Sequence, residues 1–187
     1  MLSDDLQDYD KKALDKLLYY GKIKIHYPKG NNYMKKIYIF SDTHKSIDGC
    51  IDVISNAGKI DAIIHAGDHA DDAYDLHSIF PEIPMYSVRG NCDYFSGKPN
   101  DLTVIVEGIK IFITHGHSYT VNTTLSQLKA KGHSIEADLV VVGHTHRSMV
   151  DTDGKMTVTN PGSAKNFGTY AVAKIENGSV RADIFNM

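Results

Sequence analysis

The sequence of 187 residues has few cysteines, no long apolar run and no excess of basic residues. Its two cysteines, Cys50 and Cys92, cannot build a disulfide framework, and no secretory signal or Arg-rich transit segment is recognised, so we expect a reducing cytoplasm. No apolar run approaches the ~18 residues of a membrane-spanning helix, so no membrane location is expected. Proteins that hold long nucleic acids generally carry a Lys/Arg-rich face. The formal net charge of −3 therefore argues against extended DNA or RNA as a partner.

The composition is that of a globular domain with an unusual number of histidines. A chain of this length corresponds to about one domain and can bury roughly 70% of its unfolded surface, so a self-sufficient core is expected. Hydrophobic residues make up 42% of the sequence and charged residues 23%, values typical of globular proteins. The ten histidines are more than surface polarity requires. Whether they cluster is therefore the question that bears on function.

Residues 1–33 are predicted to form a helical extension ahead of a single domain over residues 34–187. The stretch "LSDDLQDYDKKALDKLLYYG" places apolar residues on one helical stripe, and Gly21 is a plausible helix stop. Because that stripe would otherwise be exposed, we expect the helix to pack against the domain or to form an oligomer contact. The alternative is that translation starts at Met34, since "MKKIYIFSDTH" resembles an ordinary N-terminus of the family identified below. The stripe consists of Leu6, Tyr9, Ala13, Leu14, Leu17 and Leu18.

From Met34 onwards, apolar strand-like runs alternate with short helical patterns. We predict helices over residues 47–57, 74–80 and 123–131, lying between buried strands such as "KIYIF" and "DAIIH". Two strands meet at Gly108, and the short strands after residue 148 have no predicted helix between them. The pattern indicates an α/β domain that starts with a β-α-β unit and ends mostly as β-structure.

Five of the buried strands end in Asp, Asn or His. In open α/β sheets, ligands bind beyond the carboxyl ends of the strands, so these five ends can converge although they are far apart in sequence. Oxygen and imidazole ligands together suit borderline divalent ions such as Mn, Fe, Ni or Zn. The five ends are "SDTH" at residues 41–44, "GD" at 67–68, "GNCD" at 90–93, "HGH" at 115–117 and "GHTH" at 143–146.

Each of these motifs has an ordinary structural explanation when it stands alone. An Asp or Asn after a strand is usually a turn former or a helix N-cap, and a lone buried His is more often a hydrogen-bonded core residue than a ligand. A His-x-His pair on an extended chain simply puts both rings on one side. Five such ends in series are hard to explain by coincidence, and they favour a metal site.

Taken in order, "SDTH", "GD", "GNCD", "THGH" and "GHTH" resemble the signature of the calcineurin-like metallophosphoesterases, in particular the small bacterial and archaeal phosphodiesterases of the YfcE type. The resemblance runs from Met34 to about Met187 and includes "NPGS" at residues 160–163. It implies an α/β fold in which a two-sheet β-sandwich is flanked by helices, an α/β/β/α arrangement. It also implies an enzyme, a hydrolase of phosphate ester bonds.

The resemblance further implies two divalent metal ions, with Mn²⁺ expected first and Ni²⁺, Fe²⁺ or Zn²⁺ as alternatives. Asp68 would bridge the ions, because a carboxylate has two oxygens to share whereas a neutral imidazole or amide offers one donor atom. The expected reaction is hydrolysis of small phosphodiesters by a metal-activated hydroxide, with monoesters as secondary substrates. The first ion would be held by Asp42, His44, Asp68 and His146, and the second by Asp68, Asn91, His115 and His144.

Further candidates lie next to these motifs. Many superfamily members have a phosphate-contacting histidine where this chain has Cys92, and a thiol with a pKa near 8.5 is a poorer proton donor. Cys92 is either a functional group of the site or simply a small packed residue. His117 is either a phosphate contact or a turn residue near the site. We assign His65 to strand packing and His69 to the rim of the site. The remaining candidates are Asn91 as a phosphate contact and Asp93, Arg89 and Arg147 as outer groups, although an arginine after a strand is more often simply solvated.

Two other functions compete with a phosphodiesterase. A retromer subunit resembles these enzymes and serves chiefly in protein assembly, so a non-catalytic scaffold of the same fold is the alternative; the presence of every expected ligand argues against it. Metallo-β-lactamase-like proteins also use His-x-His, but their motif continues with Asp-His, whereas here Arg147 and Ser148 follow. The family's members include oligomers, so a homo-oligomer is expected. The physiological substrate cannot be inferred from any motif in the sequence.

Overall fold

A computed structural model describes residues 34–187, which form ten strands and four helices. The predicted helical extension over residues 1–33 lies outside the described residues. The elements are β1 (Lys35–Phe40), α1 (Asp48–Asn56), β2 (Ala62–His65), α2 (Ala70–Ile79), β3 (Met85–Ser87), β4 (Asp101–Val106), β5 (Ile109–Thr114), α3 (Ser126–Ser134), β6 (Leu139–Val141), β7 (Met149–Asp153), β8 (Met156–Asn160), α4 (Ala164–Phe167), β9 (Thr169–Glu176) and β10 (Ser179–Asn186).

The strands form two five-stranded mixed sheets. The first sheet has the order β10-β9-β1-β2-β3, and the second has the order β4-β5-β6-β8-β7. In the first sheet β1, β2 and β3 are parallel, and β9 joins β1 antiparallel. In the second sheet β5, β6 and β8 are parallel, with β4 and β7 antiparallel at the edges. Each sheet therefore contains three adjacent parallel strands, whose carboxyl ends lie at the same end of that sheet.

The main core lies between the two sheets, and helices cover their outer faces. Ile39 and Ile64 of the first sheet and Ile111 and Val141 of the second belong to one fully buried cluster. On the outer side of the first sheet, β1 and β2 pack with residues of α1 and α2, and on the outer side of the second sheet β5, β6 and β8 pack with Leu128 of α3. The central strands are buried on both faces, which explains their continuous apolar runs. The predicted α/β/β/α sandwich is confirmed.

Two helices begin three or four residues from their predicted starts, α1 begins one residue after its predicted start, and α4 lies where no helix is predicted. Helix α2 begins at Ala70, four residues before the predicted start, because the polar "ADDA" turn is anchored by Asp93, whose carboxylate accepts the Ala70 N–H at 2.9 Å. Helix α3 begins at Ser126, where the Thr124 hydroxyl accepts the Ser126 N–H at 3.2 Å. The strand ends, which position the site, lie where the sequence predicts them. Within residues 34–187, no helix is long and apolar enough to cross a membrane.

Candidate metal centre

The five ligand-bearing loops follow β1, β2, β3, β5 and β6 and meet across the gap between the sheets. Four of the seven predicted metal ligands form one compact group, in which one ligand atom from each residue lies within 4.8 Å of every other. The two carboxylates of the group are buried and the two imidazoles are half-buried. The group consists of Asp42, His44, Asp68 and His146, which is the set predicted for the first ion.

Asp42 carries a buried carboxylate oxygen without a hydrogen-bond partner within residues 34–187. Its Oδ2 accepts hydrogen bonds from the Ser41 hydroxyl at 2.6 Å and from the His144 N–H at 3.2 Å, whereas Oδ1 is unpaired. The Nε2 atoms of His146 and His115 lie 3.2 Å and 4.0 Å from Oδ1. A buried, unpaired carboxylate oxygen is costly unless a cation satisfies it. The residues present therefore fit a divalent ion at this position.

Asp68 lies between two groups of imidazoles. Its Oδ1 is 3.4 Å from His115 Nε2 and accepts the Cys92 N–H at 2.9 Å, whereas its Oδ2 is 3.9 Å from His44 Nε2. Burial tends to raise the pKa of Asp68, but the hydrogen bond and charge of His115 and the hydrogen bonds of Cys92 hold that pKa well below its usual range. Asp68 is therefore an ionised carboxylate with one oxygen facing each half of the site, as a bridging ligand requires.

His115 is completely buried and is oriented by the backbone of the other sheet. Its Nδ1–H donates to the Ala66 carbonyl at 2.7 Å, because a carbonyl oxygen can only accept. Nε2 then faces the Asn91 side-chain oxygen at 3.2 Å as well as Asp68. Burial lowers the pKa of His115, but the hydrogen bond to Asp68 and the charges of Asp42 and Asp68 raise it overall. A place that favours a proton on Nε2 also favours a metal ion there.

His144, the last residue of the predicted second set, is adjacent to His115 but has a different partner. The two rings are 5.1 Å apart, centroid to centroid, and the Asn122 side-chain amide lies 2.9 Å from His144 Nε2. Burial and the neighbouring charge of His115 lower the pKa of His144, so its ring is neutral near pH 7. Asp68, Asn91 and His115 thus come together directly, and His144 borders them through its ring contact with His115.

Every residue of the compact group has a left-handed backbone. The φ angles are 54° at Asp42, 43° at His44, 56° at Asp68 and 59° at His146, and that of His144 is 68°. Residues other than glycine adopt such angles rarely, at a cost of about 1–3 kcal/mol each, and they cluster at functional sites. The chain reverses sharply at the strand ends to aim these side chains inward. No pattern in the sequence indicated this.

Two glycines allow the ligand loops to approach one another. A Cβ added to Gly90 would overlap the carboxylate and backbone of Asp68, and one added to Gly143 would overlap the Ser41 hydroxyl and lie 3.1 Å from Asp42 Oδ2. Neither glycine has a positive φ, so close approach rather than backbone angle requires them. The glycines of "GNCD" and "GHTH" therefore make room for the carboxylates.

His65, which is predicted to pack in its strand, also forms hydrogen bonds that reach the first ligand loop. Its Nδ1 accepts the Gly67 N–H at 3.3 Å, so Nε2 carries the proton and donates it to the Thr43 hydroxyl at 3.0 Å. Thr43 in turn donates to Asp72 at 2.5 Å. Burial lowers the pKa of His65 to about 4, so the ring is neutral. This series of hydrogen bonds holds Thr43, the residue between Asp42 and His44, in place.

The "NPGS" segment joins the first and fifth ligand loops. The Ser163 hydroxyl donates to the Asp42 carbonyl at 3.0 Å and accepts the Asn166 N–H at the start of α4. The Asn160 amide donates to the Gly143 carbonyl at 2.7 Å and to the Thr145 hydroxyl at 3.1 Å. In the sequence this segment is only part of the family resemblance, whereas in the structure it holds two loops together.

Further side chains orient the histidines of the compact group. The Asn166 side-chain amide lies 2.9 Å from His146 Nδ1, which leaves His146 Nε2 directed at Asp42. The His69 ring is 5.2 Å from that of His44, consistent with its predicted place at the rim. Sequence reasoning missed Asn122, Asn160 and Asn166 as partners of the ligand loops, because a single asparagine in a sequence is equally typical of a turn.

The outer candidates have different surroundings. Partial burial and the negative charge of Asp68 raise the pKa of the Cys92 thiol to about 11, and its Sγ lies 3.4 Å from Asp68 Oδ2. Asp93 is not directed at the ligands: its carboxylate accepts the N–H groups of Ala70 and Gly90 at 2.9 Å and 2.7 Å and so braces two loops.

His117 and the two arginines border the site without joining the compact group. The His117 ring is 5.6 Å from that of His115, and burial and the charge of His115 lower its pKa. The Arg89 Nε–H donates to the Asn100 side-chain oxygen at 2.6 Å. Arg147 is exposed, one residue beyond His146.

Comparison with known proteins identifies similar sequences over the same part of the chain. Residues 34–178 match the model of the calcineurin-like phosphoesterase superfamily domain. The probable metallophosphoesterase YsnB of Bacillus subtilis is 25% identical over 158 residues, which cover 80% of this chain and 90% of that protein.

Solved structures agree with this comparison. A predicted phosphoesterase from Streptococcus pneumoniae has a TM-score of 0.70 and 27% identity, covering 82% of this chain and 90% of its own. An archaeal phosphodiesterase has a TM-score of 0.63 and 25% identity, covering 80% and 99%. Vacuolar protein sorting 29 from Cryptosporidium parvum has a TM-score of 0.65 with 16% identity over 83% and 100% of the chains, a likeness of fold alone.

Proposed function

Because this chain belongs to the calcineurin-like phosphoesterase superfamily, we propose that it hydrolyses small phosphodiesters at a centre of two divalent metal ions. The observation that carries the proposal is the position of Asp68, an ionised and buried carboxylate with one oxygen toward His44 and the other toward His115. A carboxylate placed in this way would offer one oxygen to each of two divalent ions and would offset part of their charge.

The proposed ligands are those that the resemblance implies. Asp42, His44, Asp68 and His146 would hold the first ion, and the unpaired Oδ1 of Asp42 supports that assignment. Asp68, Asn91, His115 and His144 would hold the second. Bound divalent ions supply Lewis acidity toward the phosphate oxygens and lower the pKa of water from about 15.7 to about 7. The oxygen and imidazole donors suit Mn²⁺, our first choice, as well as Ni²⁺, Fe²⁺ or Zn²⁺.

The surrounding side chains would position the phosphate group of the substrate. Asn91 and His117 are the proposed phosphate contacts, since both border His115 and the lowered pKa of His117 leaves a neutral ring that can donate one hydrogen bond. Cys92 keeps its proton at neutral pH because its pKa is raised to about 11, so it is a weak general acid. We therefore expect diesters with good leaving groups to react fastest, and we propose monoesters as secondary substrates.

The competing proposal is a scaffold of the same fold that binds protein partners and does no chemistry. The likeness to vacuolar protein sorting 29 makes this alternative concrete, but at 16% identity it concerns the fold. The compact group of four predicted ligands and the strained backbone at each of its members favour the enzyme. A cytoplasmic location and a homo-oligomeric state remain proposals that rest on the sequence.

The test is hydrolysis of bis(p-nitrophenyl) phosphate by the purified chain after chelator treatment, with and without Mn²⁺. We expect metal-dependent turnover that falls at least about a hundredfold in Asp68→Asn, because the amide cannot bridge two ions. Asp75→Asn, on the exposed face of α2, is the matched control and should retain activity.

The opposite outcome has a defined meaning. If no turnover appears with Mn²⁺, Ni²⁺, Fe²⁺ or Zn²⁺ while calorimetry shows that an ion binds, the phosphodiesterase proposal is wrong. The centre would then be structural and the scaffold would be favoured.

A further inference from the structure

A groove with a volume of about 460 Å³ lies beside the proposed metal centre, within the part of the chain that the structure describes. Its size falls in the range of small-molecule sites. The residues on it come from the segment between the 3₁₀ turn (His117–Tyr119) and α3, and from the chain that follows β6. They are Val121, Asn122, Thr123, Thr124, Leu125, Val142, Thr145, Arg147, Met149 and Asn160.

The groove and the proposed metal centre share a wall. Asn122 lines the groove and its amide is 2.9 Å from His144 Nε2. Thr145 also lines it and stands between His144 and His146, with its hydroxyl held by Asn160 at 3.1 Å. A molecule whose phosphate lies at the centre can therefore extend into the groove past Asn122 or Thr145.

The lining has a distinct chemical character. Leu125 and Met149 are partly buried and provide apolar surface over the buried Val121 and Val142, whereas amides and hydroxyls line the remainder. Arg147 is the one charged residue of the lining, and no carboxylate is among the lining residues. Such a surface suits an apolar or aromatic group with hydrogen-bonding edges, and its guanidinium disfavours a cationic group.

We propose that this groove binds one ester group of the phosphodiester, and that it selects apolar or aromatic groups, neutral or anionic, over cationic ones. That the bound molecule is a substrate rests on the proposed function, whereas its binding to the groove can be measured without metal. Thr123 and Arg147 are specificity-determining residues in this proposal. None of the seven predicted metal ligands lines the groove.

The first experiment measures binding to the metal-free full-length chain by NMR. Diphenyl phosphate and dimethyl phosphate are titrated in turn into chelator-treated protein labelled with ¹⁵N. We expect diphenyl phosphate to shift the amide signals of residues 121–125 and 147, and dimethyl phosphate to shift them much less because it lacks the apolar group. Thr123→Trp, which places a large ring in the groove, should abolish the shifts.

A matched substitution provides the control. Thr103→Trp adds the same ring at an exposed position of β4, the edge strand at the far side of the second sheet from β7 and β8. It should leave the shifts unchanged. Equal shifts with both phosphates, or shifts that persist in Thr123→Trp, would overturn the proposal.

The second experiment measures selectivity with metal bound. Two substrates share the p-nitrophenolate leaving group: the choline ester of p-nitrophenyl phosphate and its uncharged isostere, the 3,3-dimethylbutyl ester. We expect kcat/KM to favour the isostere, and Arg147→Gln to reduce that preference about fivefold, as loss of one partly solvated charge interaction implies. An unchanged ratio in Arg147→Gln would overturn the assignment of charge selectivity to Arg147.

The two experiments separate failure of the groove from failure of the proposed function. If neither ester is hydrolysed with any metal but diphenyl phosphate still shifts residues 121–125, the phosphodiesterase proposal fails and the binding groove stands. If both esters are hydrolysed and diphenyl phosphate shifts no groove residue, the function stands and the groove proposal fails.

Discussion

Asp42 holds its Oδ1 in the interior without a hydrogen-bond partner in the described part of the chain, at the position proposed for an ion. Asp42→Asn keeps an oxygen that can accept from the Ser41 hydroxyl and the His144 N–H but removes the buried negative charge. We expect the metal-free variant to be about 1 kcal/mol more stable, because an uncompensated buried charge is unfavourable. Its affinity for Mn²⁺ should fall at least about a hundredfold.

Thermal unfolding in the presence of chelator and calorimetric titration with Mn²⁺ test this prediction together. Asp75→Asn should change neither result, since that carboxylate is exposed on α2. A loss of stability in metal-free Asp42→Asn would show that the carboxylate contributes to the fold and is not held for an ion.

His65 makes stability depend on pH. Its folded-state pKa is about 4, below the ordinary value of 6.5, so protons bind more readily to the unfolded chain. The stability that the neutral ring confers is complete above pH about 6.5 and is lost as the pH falls toward about 4. For this residue alone we expect a loss of about 2 kcal/mol in the free energy of unfolding between about pH 7.5 and about pH 5.

Chelator-treated protein and His65→Gln should be compared by urea unfolding at both pH values. The variant lacks the titrating ring, so its stability should fall less than that of the original chain over the same interval. If the two fall equally, His65 is not the group responsible.

For single residues, the identity of the proposed ligands could be predicted from the sequence, whereas the contacts around them could not. Asp, His and Asn after buried strands are visible as letters, and the compact group contains four of the predicted seven. The unpaired oxygen of Asp42 and the role of Thr43 as a link from His65 to Asp72 depend on contacts between elements 22 to 29 residues apart. No pattern of neighbouring residues in the sequence predicts such contacts.

The loop after β3 illustrates how an element shapes the centre. A Cβ at Gly90 would overlap Asp68, so Gly90→Ala must shift the "GNCD" loop or the "GD" loop. We expect a loss of stability of about 1–3 kcal/mol, as for other overpacked sites, and Mn²⁺ binding at least about tenfold weaker. Gly58→Ala is the matched control, because nothing lies within 4 Å of its added Cβ.

Unfolding and Mn²⁺ titration of the two alanine variants check this expectation. If Gly90→Ala binds Mn²⁺ as tightly as Gly58→Ala, the close approach of the two loops does not matter to the centre.

Strands were easier to predict than helices in this chain. Central strands buried on both faces read as continuous apolar runs, and β1, β2 and β6 appear where "KIYIF", "AIIH" and "LVV" stand. The start of α2 was missed because its first turn is polar and depends on Asp93, which lies 23 residues further along the chain. Helix α4 has only four residues and no periodicity to detect.

For the whole molecule, the family match begins at residue 34 and the first strand of the sandwich at Lys35. We therefore expect a chain of residues 34–187 to retain metal-dependent hydrolysis within about twofold, since all proposed ligands lie in it. If the predicted extension packs on the domain or joins two copies, deletion should also lower the melting temperature or the oligomeric mass.

Activity, melting temperature and mass by light scattering distinguish these outcomes. Unchanged stability and an unchanged number of copies would contradict a packed extension, and loss of hydrolysis would contradict a self-sufficient domain.

The sandwich itself could be anticipated from the order of the five motifs, because their resemblance to one superfamily specifies a fold. The sheet order could not be anticipated from periodicity, since β9 returns to pair with β1 across more than a hundred residues of intervening chain. The groove beside His144 likewise depends on segments brought together by the second sheet.

The hydrogen bond of Ser163 forms late in synthesis of the protein. The hydrogen bond from Ser163 to the Asp42 carbonyl joins residues 121 positions apart, and His144 and His146 also lie late in the chain. A nascent chain therefore cannot close the centre until its last quarter has left the ribosome. A nascent chain that ends before residue 146 holds only three of the four residues of the compact group, and one that ends before residue 163 lacks the hydrogen bond to the Asp42 carbonyl.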